Sequence, residues 1–244
     1  MDDLLARQRT ATLAFWRAEC SPRPAGAWAQ IGGVQVHTTG LAPRQWSGAF
    51  VTRAVASPTY TAVASWFRER SQYYAVLVPA ELDHAPPGCS HLLDQPVMLR
   101  PLAEPVAADL AGLHVSWTPP AEDVAIVQAL AFDVDLDLSR EFVGPTLAVH
   151  PAVVAYDGDL PVACASAAVT GDVLGVFGVA VRASHRRRGI GRAVTALALE
   201  RGRDLGCDLA YLNPSLMAYA GYARLGFTDA PPMRVWVPEP EPDS

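Results

Sequence analysis

The chain reads as a succession of short patterned runs separated by proline and glycine. Residues 2–19 suit a helix, which the proline-bearing stretch "CSPRPAG" ends. "WAQIGGVQVHTTG" then reads as one or two short strands about a Gly-Gly turn. "SPTYTAVASWFRER" opens on Ser-Pro and sets Val63, Trp66 and Phe67 on one helical face. "YYAVLVPA" and "QPVMLRPL" carry the pattern of buried strands, with "DHAPPGCS" as the loop between them, and "LAEPVAADLAG" reads as a linker.

The second half is the more regular. "GLHVSW" suits a strand. Thr118 and two prolines open a helix, "AEDVAIVQALAF", with Glu122 and Asp123 in its first turn, where the helix dipole favours acids. "DVDLDLSREF" suits a strand by its alternation and a short second helix by its place. "TLAVHPAVVAY", "LPVACASAAVT" and "DVLGVFGVAV" are strand-like, and Asp157-Gly158 and Gly171-Asp172 between them signal antiparallel hairpins. A long helix, "AVTALALERGRDLG", follows, with Val194, Leu197, Ala198 and Leu205 on one face and Gly206 as its stop. "DLAYLN" is a further strand, "PSLMAYAGYARL" a short helix and "PMRVWVP" a last strand, before an acidic tail expected to be disordered. The expected division is 1–108, 109–238 and the tail 239–244.

Composition narrows the function classes. The 244 residues, 50% of them hydrophobic, suffice for one large core or two smaller ones. A formal net charge of -6 disfavours nucleic acid, whose binding is driven by phosphate neutralisation. No uncharged apolar run reaches the ~18 residues of a membrane span. The start "MDDLLARQRT" carries acids with no apolar run behind it, unlike a signal peptide, so a cytoplasmic location is expected. All 19 basic residues are arginine, as suits a G+C-rich bacterial gene. Schiff-base and P-loop lysine chemistry are thereby excluded. Cys20, Cys89, Cys164 and Cys207 form no C-x-x-C pair and no zinc-ligand set, so no metal is expected and they read as small core residues.

The segment with the most chemistry is "SHRRRGIGR", residues 184–192, placed between a buried strand and a helix. A helix's first turn has backbone N–H groups without internal partners, at the positive end of the macrodipole. Gly189 and Gly191 remove side chains that would keep a phosphate away, and Arg186, Arg187, Arg188 and Arg192 add full charge. A pyrophosphate site and a solvated basic loop both fit these nine residues. A Rossmann fingerprint fails because Val194 stands where its third glycine belongs, and a Walker loop fails for want of lysine.

Arg186-Arg187-Arg188-Gly189-Ile190-Gly191 matches R/Q-x-x-G-x-G/A, and "YARLGF" at 222–227 matches Y-x-x-L-G-F. With this spacing and element order, about 130 residues from "GLHVSW" to "VWVP" resemble the GNAT superfamily of acyl-CoA-dependent N-acetyltransferases. The resemblance implies an α/β (α+β) fold: a mixed, mostly antiparallel central sheet flanked by helices. It implies acetyl-CoA, or another acyl-CoA, as co-substrate. The pyrophosphate would meet the backbone of Arg187, Arg188, Gly189, Ile190, Gly191 and Arg192, with Arg186 beside it, and the pantetheine arm would pair with the strand at Val179 and Val181. Tyr222 would be the general acid that protonates the departing thiolate.

Two departures qualify the carry-over. Ser215 stands where the family often has asparagine to bind CoA, and the middle strands lack the acid that serves relatives as general base. Glu141, His150, Asp172 and Tyr219 are the candidates for that role. The first half also resembles a decayed GNAT half-copy without the glycine turn, as in tandem relatives: "CSHLLDQPVMLRPL" parallels "ARLGFTDAPPMRVWVP", each read as a helix end, a turn and a strand. The implied reaction is direct acyl transfer to a primary amine of a small molecule or peptide, with a backbone N–H at Val181 stabilising the oxyanion. The alternative is a non-catalytic acyl-CoA-binding regulatory module.

Overall fold

A computed structural model describes residues 2–70, 72–110 and 112–239. In chain order its elements are α1 (Asp2–Cys20), β1 (Ala27–Ile31), β2 (Val34–Thr38), β3 (Ser47–Val51), α2 (Ser57–Arg68), β4 (Ala75–Pro79) and β5 (Cys89–Pro101). They continue with β6 (His114–Ser116), α3 (Ala121–Phe132), α4 (Leu136–Val149), β7 (Ala152–Asp157), β8 (Leu160–Thr170), β9 (Val173–Val181) and α5 (Ile190–Asp204). The last are β10 (Leu209–Leu212), α6 (Tyr219–Ala223) and β11 (Thr228–Pro238). This is the expected mixed α/β arrangement of mostly antiparallel strands flanked by helices. No helix among the described residues is long and apolar enough to cross a membrane.

The chain forms two units. One holds α1 up to Phe15 and the run Met98–Asp229. The other holds Trp16–Val97 and the last strand from Ala230. In the first, β6, β7, β8 and β9 pair antiparallel in succession, and the end of β5 pairs antiparallel with β10. β10 lies parallel to β9, which requires a crossover, and α5 supplies it. Ile190, Val194 and Leu199 of α5 bury one sheet face with Val153, Ala163, Ala165 and Val176. Val124 and Val127 of α3 and Val143 of α4 bury the other with Val154, Cys164 and Ala180.

In the second unit β1, β2 and β3 pair antiparallel, β4 lies parallel to β3, and the end of β11 pairs antiparallel with β4. Tyr60, Val63 and Phe67 of α2 pack on Val34, Val36, Ala49, Val76 and Val78.

Several elements differ from the sequence expectation. β3, "SGAFV", was not anticipated: every one of its residues is buried, so it shows no two-residue alternation. β5 starts at Cys89, so "CSHLLD" is strand rather than a helix end. Its residues 90–94 are all exposed and again leave no alternation to read. "DVDLDLSREF" resolves as helix, and α4 absorbs "TLAV" as well. Asp135 caps it by accepting from the Leu138 N–H at 3.0 Å, and Arg140 ties it to Glu122 of α3 at 2.9 Å. Ahead of "YARLGF" the helix shortens to Tyr219–Ala223. The acidic tail from 240 lies outside the described residues.

Candidate active site

β9 ends at Val181 and α5 begins at Ile190, and the segment between them is built to hold one shape. Arg182 donates from its Nε to the Pro161 carbonyl at 2.6 Å and from its backbone to Val162 at 2.9 Å. The buried His185 meets Asp157 through Nε2 at 3.2 Å and the Ser184 hydroxyl through Nδ1 at 2.9 Å. Arg186 donates to the Val181 carbonyl at 3.2 Å and to the Ala131 carbonyl at 3.0 Å. Its guanidinium therefore pins the turn to the ends of β9 and α3. Arg187, Arg188 and Arg192 are exposed and make no side-chain hydrogen bond or ion pair among the described residues, so their charge is available to a ligand.

The backbone reverses hand twice here. Arg187 sits at φ 61° and Gly189, the N-cap of α5, at φ 80°. The first N–H with a helical acceptor is that of Ala193, which donates to Gly189 at 3.0 Å. The N–H groups of Ile190, Gly191 and Arg192 precede it at the positive end of the helix. Gly191 sits close to the strand end: a Cβ there would stand 3.3 Å from Val181 Cγ2, tighter than ordinary contact.

Beside this turn the sheet opens. β10 pairs with β9 at Val173, Leu174 and Gly175 only, whereas β8 follows β9 to Val181. The edge from 176 to 181, about 20 Å of strand at ~3.3 Å per residue, has no ladder partner on the β10 side among the described residues. The Arg182 N–H points to β8, so by strand alternation the Val181 N–H points to the open side. Val179 and Val181 turn their side chains into the α5 core, which leaves their backbone as the lining of the slot.

A bulge interrupts β9 within that stretch. Cys164 opposes Ala180 and Ser166 opposes Phe177, so Gly178 and Val179 together face Ala165. Gly178 adopts φ 57°. The Gln128 amide of α3 lies directly over it: a Cβ at Gly178 would be 2.5 Å from Gln128 Nε2. Neither residue was a sequence candidate. A glycine inside an apolar strand hints at a bulge, but nothing in the sequence pairs it with a glutamine fifty positions earlier.

Tyr222 is half-buried and packs against the same hydrophobic core cluster as Val179, Val181 and Ile190. Its carbonyl accepts from Leu225 at 2.9 Å and Phe227 at 3.1 Å, which fixes the turn that ends α6, and its ring meets Phe227 edge-on at 6.0 Å. Burial pushes the phenol up to about 12, so it keeps its proton at neutral pH. Ser215 is exposed, and its carbonyl accepts the N–H groups of Ala218 and Tyr219 at 3.0 and 3.1 Å.

The four candidate bases are dispersed. Asp172 lies before β9, about 30 Å of strand from Val181 at ~3.3 Å per residue, and pairs with Arg7 at 2.9 Å. Tyr219 donates to Asp229. His150 is buried and stacked on Phe15 at 4.9 Å, and burial pushes it down to about 4, so it is neutral at pH 7. Glu141 is exposed on α4.

Residues 121–227 match the model of the Acetyltransferase (GNAT) family. No curated protein matches the sequence. Among solved structures, a GCN5-related N-acetyltransferase from Kribbella flavida superposes with a TM-score of 0.74 at 18% identity, over 97% of this chain and 96% of its own. One from Sphaerobacter thermophilus gives 0.59 at 16% identity, over 86% and 78%. A tandem GNAT protein from the clavulanic acid biosynthesis pathway gives 0.60 at 16% identity, over 90% and 86%. These likenesses establish the fold.

Proposed function

We propose, from residues 121–227 that match the model of the acetyltransferase (GNAT) family, that the protein is an N-acetyltransferase. It moves the acyl group of acetyl-CoA, or another acyl-CoA, directly to a primary amine. The observation that carries this reading is the slot along residues 176–181 of β9, which ends at a glycine turn on the first turn of α5. The N–H groups of Arg187, Arg188, Gly189, Ile190, Gly191 and Arg192 take the pyrophosphate, with Arg187, Arg188 and Arg192 adding charge and Arg186 holding the turn. The backbone of Val179 and Val181 pairs with the pantetheine arm, and the Ser215 hydroxyl contacts CoA from the β10 side.

The chemistry then needs little else. The amine attacks the thioester carbonyl, and the Val181 N–H on the open edge stabilises the oxyanion. Tyr222, held protonated by its burial, gives its proton to sulfur as the carbon–sulfur bond breaks. The first 108 residues are, in this reading, a degenerate copy of the same fold. Calorimetry with acetyl-CoA and a free-thiol assay over a panel of amines test the proposal. Saturable binding and thiol release with at least one amine are expected. Absence of acetyl-CoA binding would refute it, and binding without turnover of any amine would leave a regulatory acyl-CoA-binding module in its place.

A further inference from the structure

An amine that attacks beside the β9 bulge meets side chains that carry no charge. The Gln128 amide covers Gly178, and the Ser166 hydroxyl, 5% exposed, would lie 3.7 Å from a Cβ there. The Cys164 thiol donates to the Gly178 carbonyl at 3.5 Å, and burial pushes it up to about 12, so it stays a thiol. Phe177 stacks on Phe15 at 4.0 Å, and the His150 ring behind Phe15 is neutral. Phe132, one helical turn beyond Gln128 on the same side of α3, is half exposed.

The carboxylates of α3 and α4 are largely engaged elsewhere. Glu122 and Asp137 bind Arg140, Asp123 accepts from the Tyr156 hydroxyl at 2.8 Å, and Asp135 caps α4. Asp133, the left-handed C-cap of α3, is exposed and makes no side-chain hydrogen bond or ion pair among the described residues, so it is the acid at this end of α3 to be tested separately. A protonated alkylamine would give up its hydration beside the bulge without gaining a counter-charge. The Gln128 amide, whose Nε2 is the atom nearest Gly178, offers hydrogen bonding without a counter-charge, and Phe177 and Phe132 offer aromatic surface for the body of a neutral amine.

We propose that Gln128 selects the acceptor, and that the acceptor is a weakly basic amine, uncharged at neutral pH and carried on an apolar or aromatic body. The inference rests on the acyl-transfer reading above. It also accounts for the absence of a base among the sequence candidates. The neutral nitrogen attacks with its own lone pair, the C–N bond forms and the C–S bond breaks. Tyr222 protonates the sulfur, and the proton shed by the new ammonium centre returns to the tyrosine through water.

The test compares aniline with benzylamine, similar in shape but neutral and protonated respectively at pH 7, with acetyl-CoA binding measured by calorimetry on every variant. Wild type should favour aniline by at least about tenfold in kcat/KM, and Gln128→Leu should raise its KM by about tenfold with acetyl-CoA affinity unchanged. Gln128→Glu, which keeps shape and adds charge, should shift the preference toward benzylamine, and Asp133→Asn should leave the ratio as it was. If wild type binds acetyl-CoA but prefers benzylamine or turns over neither amine, the acceptor assignment is wrong while the cofactor site stands. A Gln128→Glu ratio equal to wild type, or a ratio moved by Asp133→Asn alone, overturns the role of Gln128. Wild type without acetyl-CoA affinity removes the acyl-transfer reading and this inference with it.

Discussion

The two glycines of the turn meet different demands, and substitution separates them. Gly189 sits at φ 80° and ψ -5°, and a Cβ there meets nothing within 4 Å. Alanine at 189 therefore costs only the left-handed backbone, about 1–2 kcal/mol. The free turn can relax into another conformation, and binding must restore the original one. Acetyl-CoA affinity should fall about 5–30-fold for Gly189→Ala, at ~1.4 kcal/mol per tenfold. Asparagine enters the left-handed region more readily, so Gly189→Asn should recover much of that loss. Gly191 has no such backbone, but its Cβ would stand 3.3 Å from Val181 Cγ2. Valine there forces two methyl groups between the start of α5 and the end of β9, an overpacking of about 1–3 kcal/mol, and covers the N–H groups that face the phosphate. Gly191→Val should lose at least about 100-fold in affinity, or ~2.7 kcal/mol. Calorimetry at constant salt, with circular dichroism to confirm folding, measures all three variants. A Gly191→Val protein with wild-type affinity would falsify the pyrophosphate seat, and Gly189→Asn no better than Gly189→Ala would remove the conformational argument.

Two further perturbations probe the acid and the interior. Tyr222→Phe keeps the ring against Phe227 and removes only the proton donor, so acetyl-CoA affinity should hold while turnover of an identified amine falls by ~10²–10⁴; unchanged turnover would assign the proton to solvent. His37 is buried between Trp16 at 4.5 Å and Phe50 at 5.7 Å, and burial pushes it down to about 3, with His150 down to about 4. Both are neutral when folded and take a proton near pH 6.5 when unfolded, so stability is full above that pH and falls below it, by about 1.4 kcal/mol per unit for each histidine. The two act together from about 6.5 to about 4, and His37 alone continues to about 3. Urea melts at pH 7, 6 and 5 should show a shallower loss for His37→Phe than for wild type, and equal slopes would contradict the assignment.

What was legible in the sequence is what local periodicity encodes. "AEDVAIVQALAF" forms α3 over those very residues because its proline start and apolar spacing agree with its packing. The hairpins turn at Gly158 and Gly171, both left-handed. Elements escaped where burial is uniform along a strand, as in β3, or absent, as at the start of β5. The site divides along the same line. The glycine turn and Tyr222 lie in short contiguous motifs and could be named in advance. The work of Arg186 on the Val181 and Ala131 carbonyls depends on chain crossings that no window of sequence contains. The same is true of Gln128 over the β9 bulge.

Each unit contains three antiparallel strands, a crossover helix and a strand that returns parallel to the third, and the connection into the crossover helix is one place where they differ. β7, β8 and β9 run antiparallel, α5 crosses over, and β10 returns parallel to β9. β1, β2 and β3 run antiparallel, α2 crosses over, and β4 returns parallel to β3. Between β9 and α5 the chain has two left-handed residues and a cluster of arginines. Between β3 and α2 it has no positive φ among the described residues. The first turn of α2 spends its donors: Pro58 has no N–H, and Thr59 donates to Ala56 at 2.9 Å. Arg53, the one basic residue there, lays its guanidinium over Gly33, where a Cβ would be 2.8 Å from Nη2. α2 thus keeps the crossover and the apolar face that the fold requires, without the free N–H groups and loose charge that an anion requires. Sheet and helix cores are over-determined by many buried contacts, whereas an anion seat depends on a few backbone angles and one short loop. The strand order can therefore be shared while the anion seat is not, as the β3–α2 and β9–α5 connections show.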